Sequence, residues 1–427
     1  MPDMTEVSLP RLRSYKMEGL DINGDYVFPQ YSGQSILNIP SSVCSILGTS
    51  EIGYPVLDPD ILSKVGEGVQ RIVLILMDAL ALHRLRRWME DGTTPIWKQL
   101  LADGNLFPLT SIVPSTTSAA ITSLWTGASA AQHGIMGYEM WLKEYGLVAN
   151  MILHKPMSYQ GDVGGLSRAG FRPEEFLNVP TLGTHLMMNG VQSHAFQHYS
   201  IARSGLSRML MRDTAVHTFS TAADLWVSVR QLLEGVIGER AYVWIYWGAV
   251  DGLSHHNGPD DERASAEFAS FSGAFERNFL SMISSQARED TLLILTADHG
   301  QIFTPKDDHL DLLHHPELVN RLHIHPTGEN RMAFLHVRPG MQEDVISYIS
   351  RTWPDRFHVL ASEQALQSGL FGSGGHHPGL NDRMGDLVVI AREDSYLWWS
   401  TEENPLMGRH GGLSPDEMLV PFLAVRL

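Results

Sequence analysis

The sequence predicts an α/β fold of three layers, α/β/α, built around a mainly parallel central sheet. Two observations carry this prediction. Runs of apolar residues alternate with segments of helical periodicity along most of the chain. Several runs, such as Arg71–Met77 and Thr291–Thr296, are apolar on both faces, which is typical of strands buried inside a parallel sheet.

The predicted elements follow a regular order after residue 70. Residues 1–69, rich in Pro, Gly and Ser, are expected to form an extended arm packed on the core. Residues 70–427 are expected to form one large domain, in which 138–215 is an inserted lid or cap. The predicted strands are 71–77, 105–113, 241–247, 291–296, 331–337, 386–391 and 418–425. The predicted helices are 80–102, 117–125, 222–236 and 261–287.

Charge and composition exclude several classes of protein. The formal net charge is −17, so the surface repels a phosphate backbone and extended nucleic-acid binding is not expected. A small anionic substrate remains compatible, because bound metal ions can invert the local potential. The single cysteine, Cys44, allows no intrachain disulfide. Since no apolar run suits a signal peptide or a membrane span, we expect a cytoplasmic protein without a membrane partner.

Carboxylates come at or just after the ends of three apolar strand runs. They are Asp78, Asp251 and Asp298. In an open α/β sheet, ligands bind beyond the carboxyl ends of the strands. One such Asp alone is most often a helix N-cap, but three at one sheet edge would repel each other unless cations lay between them. The sequence therefore predicts a metal site at this edge.

Histidines accompany two of these carboxylates. His299 directly follows Asp298, and the next residue, Gly300, allows a close approach of the backbone. His255 lies four residues after Asp251, so both side chains point to one side if this turn is helical. These pairs suit metal ligation by mixed imidazole and carboxylate groups.

A further histidine lies in the glycine-rich segment 408–414. His410 is flanked by glycines, which suits a loop that folds closely around a metal, although a surface histidine would look the same. Three other histidines are alternative ligands: His256, His376 and His377.

Hydroxyl residues precede the predicted helix 117–125. Ser or Thr at this place is usually an N-cap, but the helix N-terminus also stabilises negative charge on a phosphate or an alkoxide. Either Thr116 or Thr117 is suitably placed to act as a nucleophile, and metal coordination is one way to activate such a hydroxyl.

These motifs, in this order, resemble the alkaline phosphatase superfamily, most closely its type I phosphodiesterase/nucleotide pyrophosphatase branch. The resemblance extends from about residue 71 to residue 427. It rests on Asp78, Pro-Ser-Thr-Thr117, Thr126-Gly127, His133-Gly134-Ile135, Asp251-x-x-x-His255-x-x-Gly-Pro, Asp298-His299-Gly300 and Gly-x-His410-Gly.

The resemblance implies an alkaline-phosphatase-like fold and a metal-dependent phosphoester hydrolase. Thr117 matches the nucleophile of the family, which lies nine residues before the Thr of the Thr-Gly pair, here Thr126. Thr117 would form a covalent phosphoenzyme intermediate. Two divalent metals are implied, with Zn²⁺ expected and Mn²⁺ as the alternative. One would be held by Asp78, Thr117, Asp298 and His299, the other by Asp251, His255 and His410.

The chain also departs from the family pattern. Tyr138 stands where nucleotide pyrophosphatases carry an Asn that holds a phosphate oxygen, and its hydroxyl is expected to bind substrate in a similar way. The substrate is therefore predicted only as a small phosphorylated molecule, and Trp141, Tyr145 and Tyr159 either stack on it or pack internally. A phosphonate hydrolase, a phosphomutase and a non-catalytic metal-binding relative are the alternatives. Sulfatase chemistry is not expected, because Cys44 lacks the required motif.

Overall fold

The structure of the protein is a computed structural model that describes residues 2–158 and 163–427. In chain order, the strands are β1 (Arg71–Met77), β2 (Asn105–Thr110), β3 (Glu139–Leu142), β4 (Leu147–Asn150), β5 (Lys155–Pro156), β6 (Gln192–His198), β7 (Ala215–Phe219), β8 (Ala241–Trp247), β9 (Thr291–Thr296), β10 (Ile302–Phe303), β11 (Thr327–Glu329), β12 (Met332–Leu335), β13 (Phe357–Ala361), β14 (Leu387–Ala391), β15 (Gly408–Arg409) and β16 (Leu419–Arg426). The α-helices are α1 (Thr5–Ser14), α2 (Ile39–Ile46), α3 (Pro59–Leu62), α4 (Leu82–Glu90), α5 (Pro95–Asp103), α6 (Thr117–Thr126), α7 (Ala130–His133), α8 (Pro173–Phe176), α9 (Leu182–Met188), α10 (Gly205–Leu210), α11 (Ala222–Gly235), α12 (Ala249–Asn257), α13 (Glu262–Phe275), α14 (Ser285–Arg288), α15 (Pro316–Val319), α16 (Gln342–Thr352), α17 (Ser362–Gln367), α18 (Leu380–Met384) and α19 (Pro415–Met418).

The central sheet has seven strands in the order β2-β16-β9-β1-β8-β6-β7. The strands from β9 to β7 are parallel, and only β16 runs against its two neighbours. Helices cover both faces of this sheet. Alternate residues of a strand point to opposite faces, and β8 shows this with two of its tryptophans. The Trp244 ring packs against Trp125 of α6, whereas the Trp247 ring packs against Phe271 of α13. The predicted three-layer fold with a mainly parallel sheet is confirmed.

A second sheet, which the sequence did not predict, is entirely antiparallel. Its seven strands have the order β13-β14-β12-β11-β3-β4-β5. The predicted strands 331–337 and 386–391 exist, as β12 and β14, and both lie in this second sheet rather than in the central one. Both pair within this second sheet, because an apolar run predicts a buried strand and carries no information about its partner.

The segment 138–215 contributes to both sheets. Strands β3, β4 and β5 join the second sheet, whereas β6 and the start of β7 belong to the central sheet. The domain boundaries drawn from the sequence stay predictions.

Two predicted helices are interrupted. The helix expected over 80–102 is two helices, α4 and α5, because the chain turns at Gly92 with a φ of 82° and Pro95 begins the second helix. The helix expected over 261–287 ends as α13 at Phe275, and a π-helical turn, Glu276–Leu280, follows.

The arm over residues 1–69 contains more regular structure than expected. Helix α1 was not predicted, because its sequence lacks a clear apolar stripe and has Pro10 inside it. The arm contacts the core directly: Leu12 and Val27 are fully buried, and the Val27 N–H donates to the Leu413 carbonyl at 2.9 Å. Among the described helices, none is both long enough and apolar enough to cross a membrane.

Candidate active site

The ends of three adjacent strands bring the predicted acidic residues together. Strands β9, β1 and β8 are neighbours, and their last residues are in register, with Leu76 opposite Thr296 and Met77 opposite Trp247. Asp78 therefore begins the loop after β1, and Asp298 is the second residue of the loop after β9. The third carboxylate, Asp251, lies in the first turn of α12, the helix that follows β8.

Two groups of side chains at this edge have ligand atoms close enough to hold a metal ion. Within each group these atoms lie within 4.8 Å of one another. His299 belongs to both groups, and its Nε2 atom lies 3.5 Å from Asp78 Oδ1 and 3.6 Å from Asp298 Oδ2. The groups are Asp78, Asp298 and His299, and Asp251, His299 and His410.

His255 lies beside the second group. Helix α12 carries both Asp251 and His255, and their i,i+4 spacing puts His255 Nε2 3.3 Å from Asp251 Oδ1. His410 approaches the same carboxylate oxygen from the loop before α19, at 3.8 Å. The Gln301 amide donates a hydrogen bond of 2.6 Å to this oxygen and thereby orients the Asp251 side chain.

All three histidines present the same ring nitrogen to the carboxylates. The Nδ1 atoms of His255, His299 and His410 lie 2.8, 3.0 and 3.1 Å from the carbonyl oxygens of Gly408, Gly300 and Ser115. A carbonyl oxygen can only accept, so each Nδ1 carries the ring proton in the neutral tautomer. The unprotonated Nε2 atoms then face carboxylates with no proton between them, which is the arrangement of metal-ligating histidines.

Thr117 is the first residue of α6 and is buried at the same centre. Its hydroxyl Oγ1 lies 3.1 Å from His299 Nε2. The helix is 10 residues long, so its unsatisfied N–H groups and dipole favour negative charge beside Thr117. The preceding residue, Thr116, instead donates its hydroxyl proton to Glu329 Oε1 at 2.5 Å.

The charges of the centre are not balanced by the protein itself. Burial, together with the carboxylates of Asp298 and Asp251, raises the pKa of Asp78 well above its usual value. Burial also raises the pKa of Asp298, and burial with the neighbouring imidazoles lowers the pKa of His410. Asp78 Oδ1 and Asp298 Oδ2 are buried and accept no hydrogen bond from any described residue. These donor atoms fit divalent cations, which would satisfy both the orphaned oxygens and the Nε2 lone pairs.

Two loops depend on close backbone contacts. A Cβ at Gly300 would overlap the Asp416 carbonyl oxygen, and the Gly300 N–H donates to the Glu417 carbonyl at 2.8 Å. The expected close approach at Gly300 is thus present. The loop that carries His410 is anchored by the carboxylate of Glu417, which accepts the Gly412 N–H at 2.8 Å.

A cavity of about 490 Å³ opens from these residues. Its walls include Thr117, Asp251, His255 and His410, so a substrate held there would reach the cluster. Tyr138, the predicted substrate-binding residue, also lines the cavity, and its backbone N–H donates to Glu329 Oε1 at 2.8 Å.

The residues considered as alternative metal ligands or as substrate contacts lie elsewhere or make other contacts. His256 lines the cavity but does not join either group of ligand atoms among the described residues. His377 packs near Phe176, and its Nδ1 accepts the Gly379 N–H. The Tyr145 ring packs against Phe171, which is the internal packing weighed for it, and Tyr159 lies outside the described residues.

Three residues of this site were not singled out from the sequence. Tyr246 donates its hydroxyl proton to Asp78 Oδ2, and Gln301 holds Asp251. Gln301 follows the Asp-His-Gly motif directly, so its position offered a signal. Glu329 offered none, because its approach to Thr116 depends on how the two sheets are placed.

A mainly parallel α/β sheet with carboxylates and histidines gathered at its carboxyl ends defines an enzyme with a candidate divalent-metal centre. A sequence model of one family, described as type I phosphodiesterase/nucleotide pyrophosphatase, matches residues 72–413. The chain belongs to this family and is a phosphoester hydrolase.

Solved structures share the fold at low sequence identity. Murine ectonucleotide pyrophosphatase/phosphodiesterase 5 is 17% identical, with a TM-score of 0.61, and the match covers 83% of this chain and 88% of that one. An inactive variant of the murine protein, in complex with AMP, has a TM-score of 0.60 at 17% identity and covers 83% and 87% of the two chains. Phosphonoacetate hydrolase from Sinorhizobium meliloti 1021, in complex with phosphonoformate, is 18% identical, with a TM-score of 0.61 and coverage of 84% and 91%.

Proposed function

We propose that this enzyme cleaves small phosphoesters with Thr117 as the nucleophile at a centre that holds two divalent cations. The observation that carries the proposal is the common orientation of the three histidines. Their protonated Nδ1 atoms are bound to carbonyl oxygens, and their Nε2 atoms point at the carboxylates of the site, with Thr117 Oγ1 beside His299.

The ligands divide into two sets in this proposal. Zn²⁺ suits the mixture of imidazole and carboxylate groups, and Mn²⁺ is the alternative. Bound there, the cations would supply positive charge to the phosphoryl oxygens and favour the ionised Thr117 hydroxyl. One set is Asp78, Thr117, Asp298 and His299, and the other is Asp251, His255 and His410.

The chemistry of the chain's own groups is a double displacement. The Thr117 hydroxyl releases its proton to solvent as its oxygen attacks phosphorus, the O–P bond forms, and the ester P–O bond breaks as the alcohol departs with a proton from solvent. Water then cleaves the phosphothreonine and regenerates the hydroxyl. The N-terminus of α6 stabilises the negative charge on the Thr117 oxygen and on the phosphoryl group during both steps.

The substrate class is proposed from the relatives and from Tyr138. The similar structures include complexes with AMP, phosphonoacetate and phosphonoformate, all small molecules with a phosphorus oxyanion. The inactive murine variant has one threonine replaced by alanine, which agrees with a threonine nucleophile here. Because Tyr138 replaces the expected Asn, phosphonate hydrolysis is the second candidate. The proposal also includes residues 1–69 as an arm packed on the catalytic domain, a cap within 138–215 and a cytoplasmic location.

Paired threonine variants test the nucleophile. Thr117→Ala should abolish turnover of bis-p-nitrophenyl phosphate, because it removes the hydroxyl that lies 3.1 Å from His299 Nε2, while metal content measured by mass spectrometry stays largely intact. Thr116→Ala is the matched control and should retain most activity, because its hydroxyl binds Glu329. Wild-type rates in Thr117→Ala, or loss of turnover only in Thr116→Ala, would refute the assignment.

Paired histidine variants test the metal ligands. His255→Ala removes an Nε2 atom aimed at Asp251 and should lower the number of bound divalent ions per chain below that of the wild type. His256→Ala, on the next residue of the same helix, should leave metal content unchanged. Full occupancy in both variants would show that His255 is not a ligand.

A further inference from the structure

The cavity that opens from Thr117 has a second wall with a different chemistry. This wall consists of the aromatic side chains of Tyr138, Trp398 and Trp399 together with the carboxyl groups of Glu139 and Glu329. A phosphoester with its phosphorus at Thr117 would extend an organic group into the cavity that these residues line.

The two glutamates face the cavity without a cationic partner. Glu139 Oε2 accepts the Trp399 indole N–H at 3.0 Å, and Glu329 Oε1 accepts the Thr116 hydroxyl and the Tyr138 N–H. Among the described residues, none donates to the second oxygen of either carboxyl group, and neither group forms an ion pair. Burial raises the pKa of Glu139 to about 7 and that of Glu329 to about 8, as expected for carboxyl groups that lack a counter-charge, and a cation bound beside them would favour their ionised forms.

The guanidinium group of Arg409, which lines the cavity, is engaged elsewhere. Arg409 touches the cavity, but its Nη1 donates to Thr304 Oγ1 at 2.6 Å and its Nη2 to Asn404 Oδ1 at 2.5 Å. Its charge lies 3.7 Å from the centre of the Tyr396 ring. Arg409 therefore supplies no counter-charge to either glutamate.

The aromatic residues are held rigidly. The Trp399 indole is tied to Glu139, and the Trp398 indole N–H donates to the Glu402 carbonyl at 3.1 Å. Both tryptophan side chains are mostly buried, so their orientation is set before a ligand arrives. Indole and phenol rings beside carboxylates are the groups that proteins use to bind ammonium cations.

We infer that this wall binds a cationic amine, such as a quaternary ammonium group, carried by the organic part of the phosphoester substrate. Tyr138, Trp398 and Trp399 provide the ring surfaces, and Glu139 and Glu329 provide the opposite charge. The inference rests on the proposed function and specifies its substrate class. A substrate with a further phosphate in place of the amine would meet like charge at this wall and bind poorly.

The test compares two substrates that differ by one atom. p-Nitrophenyl phosphorylcholine carries a trimethylammonium group, and p-nitrophenyl 3,3-dimethylbutyl phosphate carries a neutral tert-butyl group of the same shape. Turnover of each is followed by phosphorus NMR, so that cleavage of either ester bond is counted. We expect kcat/KM to favour the cationic substrate by about tenfold or more.

Glutamate variants locate the effect. Glu139→Gln and Glu329→Gln should each reduce the ratio of kcat/KM for the cationic substrate to kcat/KM for the neutral one several-fold. Both values are measured on the same protein, so their ratio does not depend on the amount of active enzyme. Glu403→Gln is the matched control, since this side chain is 94% exposed and pairs with Lys306. It should leave the ratio unchanged.

The outcomes separate this inference from the proposed function. If bis-p-nitrophenyl phosphate is hydrolysed through Thr117 but the ratio is one or less, the inference is wrong and the proposed function stands. A high ratio that survives in both glutamate variants also overturns it. If neither the diester nor the paired substrates are hydrolysed, the proposed function itself fails, and the inference with it.

Discussion

Replacement of Arg331 by Met tests how the loop of His410 is held. The Arg331 guanidinium forms a two-pronged ion pair with Glu417, with Nε–Oε1 and Nη2–Oε2 distances of 2.7 and 2.9 Å. Both side chains are completely buried. The same carboxylate accepts hydrogen bonds from Gly412 N and from the Ser414 N and Oγ atoms. The pair thus connects the turn before strand β12 of the second sheet to helix α19, and the Glu417 hydrogen bonds with Gly412 and Ser414 extend this connection to the loop that carries His410.

The magnitude follows from what the variant leaves behind. Arg331→Met keeps an apolar stem of similar length but leaves the Glu417 carboxylate buried without its cation. Removal of one partner from a buried ion pair costs about 3–5 kcal/mol. The exposed pair of Arg263 and Asp261 provides a control, because Arg263→Met removes a solvated contact and should cost at most about 1 kcal/mol.

The free energy of unfolding is measured by urea denaturation, with tryptophan fluorescence as the signal and a chelator present so that metal binding does not contribute. The change should appear in the denaturation midpoint with the slope preserved. A loss below about 1 kcal/mol for Arg331→Met would refute the view that this pair anchors the loop.

The pH dependence supplies a second check on the same variant. Burial alone would raise the pKa of Glu417, but Arg331 and the hydrogen bonds from Ser414 and Gly412 hold it below its usual value. A group with a lowered pKa in the folded state stabilises the fold above its unfolded pKa, about 4.3, and loses this contribution as pH falls. The stability difference between wild type and Arg331→Met should therefore shrink as the pH falls below about 4.3. A constant difference would contradict the charge-based explanation.

Two further substitutions probe the surroundings of the candidate metal ligands. Tyr246→Phe removes the hydroxyl that donates to Asp78 and should weaken metal affinity roughly 10- to 100-fold in a chelator competition titration, whereas unchanged affinity would exclude this role. Gly300→Ala forces a Cβ against a backbone carbonyl of α19 and should cost more than about 2 kcal/mol by urea denaturation. The control Gly235→Ala, within α11 and with open space around it, should instead be neutral or stabilising by up to about 1 kcal/mol, so equal effects would contradict the steric argument.

The predictable parts of this molecule are those that depend on the local sequence. Strands β1, β8 and β9 are continuous apolar runs, and the structure has them at the predicted residues. The i,i+4 spacing of Asp251 and His255 predicted a shared face, and α12 provides it. Gly92 and Pro95 indicated the break between α4 and α5, but the apolar periodicity around them favoured a single helix.

The second sheet and its contacts could not be read in the same way. Strands β12 and β14 have the same apolar character as the central strands, and the sheet to which each belongs depends on pairing with segments far along the chain. Glu329 lies at the end of a three-residue strand whose sequence has no feature of an active site. Its hydrogen bond to Thr116 joins residues 213 positions apart.

The sequence by itself determined the fold class and the family, because buried strands, post-strand carboxylates and the spacing of short motifs are local properties of the chain. Only the tertiary structure decided which histidine nitrogens face the carboxylates, that Thr117 rather than Thr116 points to His299, and that two glutamates and three aromatic residues share a cavity wall. These arrangements depend on how distant loops and two sheets pack together, and packing is set by the whole chain at once.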